Sequence, residues 1–88
     1  MAQPAPELDF LGRAVKQIRS ERGISQERLG LEAGLDRTYI YGIERGRRNL
    51  SYSSLLRVAS ALEVKASHIV LTAEAISTHP DERKPNSH

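Results

Sequence analysis

Arg45, Arg47 and Arg48, three arginines within four positions and followed by Asn49, concentrate hydrogen-bond donors more densely than any other stretch of the chain. Arginine outnumbers lysine ten to three overall. Its planar, five-donor guanidinium suits phosphate oxygens and the O6 and N7 edge of guanine. Residues 1–50 hold nine Lys/Arg against seven Asp/Glu and residues 51–88 hold four of each, so the net charge of +2 belongs to the first half. That chemistry is the binding of a polyanion. A solvated basic loop has the same composition, so the elements that carry these residues must decide between the two.

Other chemistries are poorly supplied. No Ser/His/Asp or Cys/His set and no phosphate loop is in view, and short helices leave little room for a cleft, so an enzyme is not expected. Cysteine is absent, which excludes disulfides and thiolate zinc sites. His68, His79 and His88 are scattered and read as incidental rather than as metal ligands, and no cofactor is implied. No run approaches the roughly 18 apolar residues of a membrane span. The start, Met-Ala-Gln-Pro-Ala-Pro-Glu, has neither the basic nor the apolar region of a signal peptide. An intracellular, cytoplasmic protein without membrane partners is expected. A chain of 88 residues makes one domain, and at this size only about 60% of the unfolded surface is buried. Oligomerisation is therefore the expected source of extra stability.

The spacing of apolar residues predicts an all-α fold, a compact bundle of five short helices. Residues 1–7 hold two prolines and read as a flexible arm. From Leu8 the pattern turns helical, with Leu8, Leu11, Val15 and Ile18 at three- and four-residue steps and Gly23 as a stop. Ser25 caps a second helix with Leu29 and Ala33 on one face, and Gly34 ends it. Asp36 caps a third, with Ile40 and Ile43 inward and Gly46 as its stop. Ser51 caps a fourth, carrying Leu55, Ala59 and Leu62, and a fifth apolar segment runs from about Ser67 to Ile76. The domain is thus placed at 8–76, and 77–88 reads as a disordered polar tail.

Two short helices joined through a glycine turn, the second opened by a cap, outline a helix-turn-helix. The residues sharpen the outline. Ser25-Gln26-Glu27-Arg28-Leu29, Ala33-Gly34-Leu35, Arg37-Thr38-Tyr39-Ile40 and Gly42-Ile43-Glu44-Arg45-Gly46 closely resemble the Cro/lambda-repressor-like (Xre-type) family from about Leu11 to Ile69. Within it, Gly34 to Ile40 together with Gly42 to Arg45 and Arg48-Asn49-Leu50 most resembles the controller proteins of restriction–modification systems.

The resemblance implies a lambda-repressor-like DNA-binding domain whose third helix enters the major groove, about 12 Å wide. Arg37 and Thr38 then stand where the family reads bases, Arg37 gripping guanine and Thr38 bonding a base or touching a thymine methyl. An ordinary surface arginine beside the Asp36 cap and a locally bonded helix-start threonine are the plainer readings. Gln26 is placed to contact the DNA backbone and to brace the recognition helix. Tyr39 is a candidate for phosphate contact. Tyr41 replaces a small residue common in these controllers, and Gly42 lacks the side chain with which some phage repressors read a base. Arg45, Arg47, Arg48 and Asn49 would follow the sugar–phosphate backbone, each arginine releasing condensed counterions. Arg19 and Glu44 would pair across the fold as a structural ion pair. Gly30 and Glu63 depart from the family's usual alanine and glycine, and both are expected to soften the fold, Gly30 by about 1 kcal/mol.

One such domain reads few base pairs, and family members dimerise on half-sites ~34 Å apart. Ile69, Val70, Leu71 and Ile76 are candidates for a homodimer interface, with closure of the core as the equal alternative. The expected function is a sequence-specific transcriptional regulator acting as a dimer at a pseudo-palindromic, double-stranded DNA operator. If it is a restriction–modification controller, it activates and represses its own promoter and contacts RNA polymerase. A generic phage- or plasmid-type repressor is the alternative in the same class, and an antitoxin-like protein-binding module the alternative in another.

Overall fold

A computed structural model describes residues 6–78, and within them the chain forms five helices and no strand: α1 (Pro6–Arg22), α2 (Gln26–Ala33), α3 (Arg37–Glu44), α4 (Tyr52–Leu62) and α5 (Ala66–Thr78). The expectations for an arm at residues 1–5, for the tail beyond Thr78, and for His79 and His88 lie outside the described residues. Pro6 and Glu7, assigned to the arm from sequence, are the first two residues of α1. Proline is tolerated in a first helical turn, where its missing N–H has no partner to lose, and Glu7 and Asp9 answer the positive end of the helix dipole. At the other end α5 runs two residues past Ile76. The Ser77 and Thr78 hydroxyls donate to the Glu74 carbonyl at 2.8 and 3.0 Å, extending the last turn.

The caps are local and explicit. Ser25 Oγ accepts from Arg28 N at 3.0 Å, Asp36 Oδ1 from Thr38 N at 3.0 Å and Ser51 Oγ from Ser54 N at 3.1 Å. Four helices end in the same way, with paired backbone bonds that satisfy the last carbonyls. After α3, Arg47 N reaches Gly42 O at 2.9 Å while Gly46 N reaches Ile43 O at 3.0 Å. This geometry needs a left-handed residue, and Gly46 supplies it at φ 73°. After α4 the same place is held by Glu63 at φ 60°, the lone non-glycine with positive φ among the described residues. A side chain there costs about 1–2 kcal/mol. Arg22 partly offsets that by donating to the Glu63 carbonyl at 3.1 Å.

The core is drawn from all five helices: Ala14, Val15 and Ile18 of α1, Leu29 and Ala33 of α2, Ile40 and Ile43 of α3, Val58, Ala59 and Leu62 of α4, and Ile69 and Ile76 of α5. Each large aliphatic side chain sealed here contributes about 1.5–3 kcal/mol. The helix-turn-helix pair α2–α3 is held between α1, which packs on α3, and α4, which packs on α2, while α5 lies along α1 and touches α4. Among the described residues no helix is long and apolar enough to cross a membrane.

Two glycines inside helices are there for space. A Cβ at Gly12 would overlap the Ile43 carbonyl oxygen, so α1 lies directly on the backbone at the end of α3. A Cβ at Gly30 would stand 2.7 Å from the Leu35 carbonyl oxygen and 3.4 Å from Arg37 Cα. Gly30 was expected to soften α2, but here it lets the turn fold tightly against the helix. Propensity alone gives Gly30→Ala a gain of about 1 kcal/mol. The contact predicts instead a loss of about 1–3 kcal/mol, seen as a lower urea midpoint at unchanged slope. A raised midpoint would rule out the close approach.

Candidate nucleic-acid interface

The third helix sorts its residues by angle. Ile40, Ile43 and Glu44 are buried, while Arg37, Thr38, Tyr41 and Arg45 are exposed and recur at three- and four-residue steps along one stripe. Arg37 and Thr38 occupy the first turn, beside the Asp36 cap, and among the described residues neither side chain is bonded to another group. They are thus available to an incoming ligand.

The orientation of this stripe is set from behind by a buried carboxylate. Glu44 is 7% exposed and accepts three bonds: Arg19 Nε to Oε2 at 2.6 Å, Arg19 Nη2 to Oε1 at 3.0 Å and Gln26 Nε2 to Oε1 at 2.9 Å. Arg19 also donates through Nη1 to the Ile24 carbonyl at 2.8 Å. One fork therefore ties α1, the α1–α2 turn and the end of α3 together, and Gln26 adds the start of α2. The Gln26 amide must turn its nitrogen to Glu44, since an ionised carboxylate only accepts. That leaves one amide hydrogen and the helix-start backbone N–H groups for a phosphate.

The loop after α3 is pinned rather than loose. Tyr39 is half-buried and donates its hydroxyl proton to the Asn49 carbonyl at 2.7 Å. That bond makes Tyr39 a strut for the loop, and the Arg48 guanidinium lies over its ring at 5.0 Å. Gly42 makes room for that crossing, since a Cβ there would overlap the Arg48 side chain. Asn49, exposed on the loop, accepts from Leu50 N at 2.8 Å through Oδ1, and its amide nitrogen has no partner among the described residues. Arg45 folds back on Tyr41, at 5.4 Å from the ring centroid and 3.1 Å from its hydroxyl. Each stack is worth about 0.5–1 kcal/mol at an exposed site. Arg47 has no side-chain partner among the described residues.

The proposed dimer residues divide. Ile69 and Ile76 are 0% and 5% exposed, held in the protomer's own core, so they present no surface to a partner. Helical spacing explains it: the two lie seven residues apart on the face turned to α1. Val70 and Leu71 remain exposed on α5, as does Leu56 on α4. Val70 also borders an apolar groove of about 430 Å³ with Phe10, Leu11 and Ala73. Among the described residues no cluster of metal-ligating side chains occurs.

The close approaches at Gly12, Gly30 and Gly42 and the two Tyr–Arg stacks were not foreseen from sequence. The four-residue spacing of Tyr41 and Arg45 was a usable signal. Nothing local announces the approach of Arg48 to Tyr39 or of α1 to Ile43.

Comparison with known proteins agrees with this architecture. A family model described as helix-turn-helix matches residues 15–69. Control protein C.BamHI of Bacillus amyloliquefaciens is 46% identical over 57 residues, 64% of this chain and 70% of that protein. The immunity repressor protein of Bacillus phage phi105 is 45% identical over 60 residues, 68% of this chain but 42% of the repressor. The crystal structure of the restriction–modification controller protein C.AhdI from Aeromonas hydrophila superposes with a TM-score of 0.73 at 37% identity, covering 74% of this chain and 98% of that one.

The network around Glu44 predicts a sign pattern. Arg19→Met strands a buried carboxylate and costs about 3–5 kcal/mol, whereas Arg19→Met with Glu44→Leu costs clearly less than the single change. Urea unfolding of the four proteins of the cycle measures it, and additive losses would show that the two residues are not coupled.

Proposed function

The chain belongs to the helix-turn-helix family, and from that premise we propose that it is a DNA-binding transcriptional regulator of the restriction–modification controller type, working as a homodimer at a pseudo-palindromic operator. Its work is binding rather than catalysis, carried out by a single DNA-binding unit in the cytoplasm. The observation that carries this reading is the exposed stripe of α3, fixed in angle by Glu44 and continued by a pinned arginine loop. Arg37 and Thr38 read base edges in the major groove, with Tyr41 beside them. Arg45, Arg47, Arg48 and Asn49 grip phosphates, together with Gln26 at the start of α2, while Tyr39 holds the loop in place. The likeness to C.BamHI and C.AhdI supports the controller assignment. Such a regulator acts on its own promoter, activating through RNA polymerase at low occupancy and repressing when a second dimer fills the adjacent site. The phage phi105 repressor favours a plain repressor as the second reading, and the genes flanking this one separate the two.

The test is anisotropy titration of the protein against labelled duplex from upstream of its own gene, in a salt series. Tight, salt-sensitive binding to that duplex and weak binding to a scrambled one are expected. Arg47→Ala, which removes one phosphate contact from each protomer of the dimer, lowers the slope of log affinity on log salt by about 1.8. Arg37→Ala leaves the slope nearer the parent and relaxes preference at one position per half-site, at a cost of about 1–3 kcal/mol. Equal affinity for both duplexes overturns the regulator reading.

Dimerisation has its own check. Leu71→Glu is expected to give a folded monomer by sedimentation, because Leu71 is 62% exposed in the protomer. Ile69→Glu is expected to unfold the chain, since it buries a charge in the core. A dimer undisturbed by Leu71→Glu places the interface elsewhere.

A further inference from the structure

We infer that Tyr41, locked by Arg45, is a specificity-determining residue that recognises the C5-methyl group of a thymine. The inference rests on the DNA-binding reading above and deepens it.

Tyr41 leaves 47% of its surface exposed although its ring is one of the larger apolar bodies in the chain. It lies on the stripe that faces away from the core, one turn beyond Arg37 and three residues beyond Thr38. The next residue on that stripe is Arg45, one turn on, and the chain neighbour Gly42 adds no side chain of its own beside the ring. The ring is not a loose surface tyrosine. Arg45 Nη1 donates to its hydroxyl at 3.1 Å and the guanidinium lies over the ring at 5.4 Å, so one cation fixes the orientation from one side. The side-chain entropy that a free tyrosine would lose on binding is thereby largely spent before DNA arrives. A ring held in this way offers an apolar surface and no base-edge hydrogen-bond pattern. The major groove presents one apolar group among its donors and acceptors, the thymine methyl. Arg45 meanwhile keeps further N–H donors for the neighbouring phosphate, so the pair couples a base contact to a backbone contact.

The experiment uses the tightest duplex that the full chain selects from a randomised pool, with each thymine replaced singly by uracil, which removes the methyl and leaves base pairing intact. The expected result is a loss of about four-fold per half-site at one thymine position, the size of one buried methyl group. Tyr41→Phe keeps that discrimination, since the ring remains. Tyr41→Ser abolishes it while the wild-type and variant proteins respond alike to uracil elsewhere. Thr38→Ser, which deletes the other methyl-bearing candidate on the stripe, leaves the discrimination at that thymine in place whatever it does to overall affinity. Indifference of the wild-type protein to uracil at every position overturns the inference, as does discrimination that survives Tyr41→Ser or disappears with Thr38→Ser. Any of these three outcomes, with selected duplex still preferred over scrambled DNA, leaves the regulator reading standing. Loss of that preference would sink both.

Discussion

A carboxylate sealed from water at the end of a short helix has to be answered, and the way Glu44 is answered organises the rest of this molecule. Its three accepted bonds come from two other helices, and Arg19 adds a fourth tie to the turn between them. The net contribution of such a buried pair to stability is small, because desolvating both ions costs about as much as their attraction returns. What the pair sets is direction. Helix α3 has eight residues, too few to hold its own orientation on a small core, and the fork on its last residue fixes it against α1 and α2 together. Gly12 makes the arrangement possible, because without the direct seating of α1 on the Ile43 backbone the arginine would start from farther away.

The exposed side of α3 follows from that fixed frame. Arg37 and Thr38 are left unengaged, while Arg45 and Arg48 are laid across tyrosine rings and the loop backbone is tied to Tyr39. In the proposed DNA-binding role, the side chains assigned to base edges are thus separated from those assigned to the phosphate backbone. Gly42 lies between the two stacked tyrosines in sequence, and the space of its missing Cβ is used by Arg48. A glycine that looks like a lost reading position is part of how its neighbours are placed.

Much of this was legible along the chain, and the limit has a physical cause. Caps and stops are local chemistry, so Ser25, Asp36, Ser51, Gly34 and Gly46 mark helix boundaries in sequence almost as they stand in space. The apolar rows of Val15, Ile18, Leu29, Ile40 and Ile43 likewise follow helical period. Helix ends held by weak signals slipped, as Pro6 and Thr78 show. The meaning of a mid-helix glycine was misread, since propensity describes a helix alone and Gly30 answers to the turn folded over it. Burial divided the apolar residues of α5 in a way composition cannot, taking Ile69 and Ile76 inward and leaving Val70 and Leu71 outside. Tyr39 shows the same limit from the polar side, because only the fold reveals that Asn49 has claimed its proton.

The seating of α5 along α1 joins the two ends of the described chain. The helix-turn-helix pair packs on α1 and α4, its nearer neighbours in sequence, but α1 also waits for a partner some sixty residues later. Loops that long slow the closing step, since their entropy is lost before the contact is made. During synthesis, α2 and α3 leave the ribosome well ahead of the helix that completes the face behind α1. The bundle is therefore closed last at the helix where it began, by the segment farthest from it in sequence.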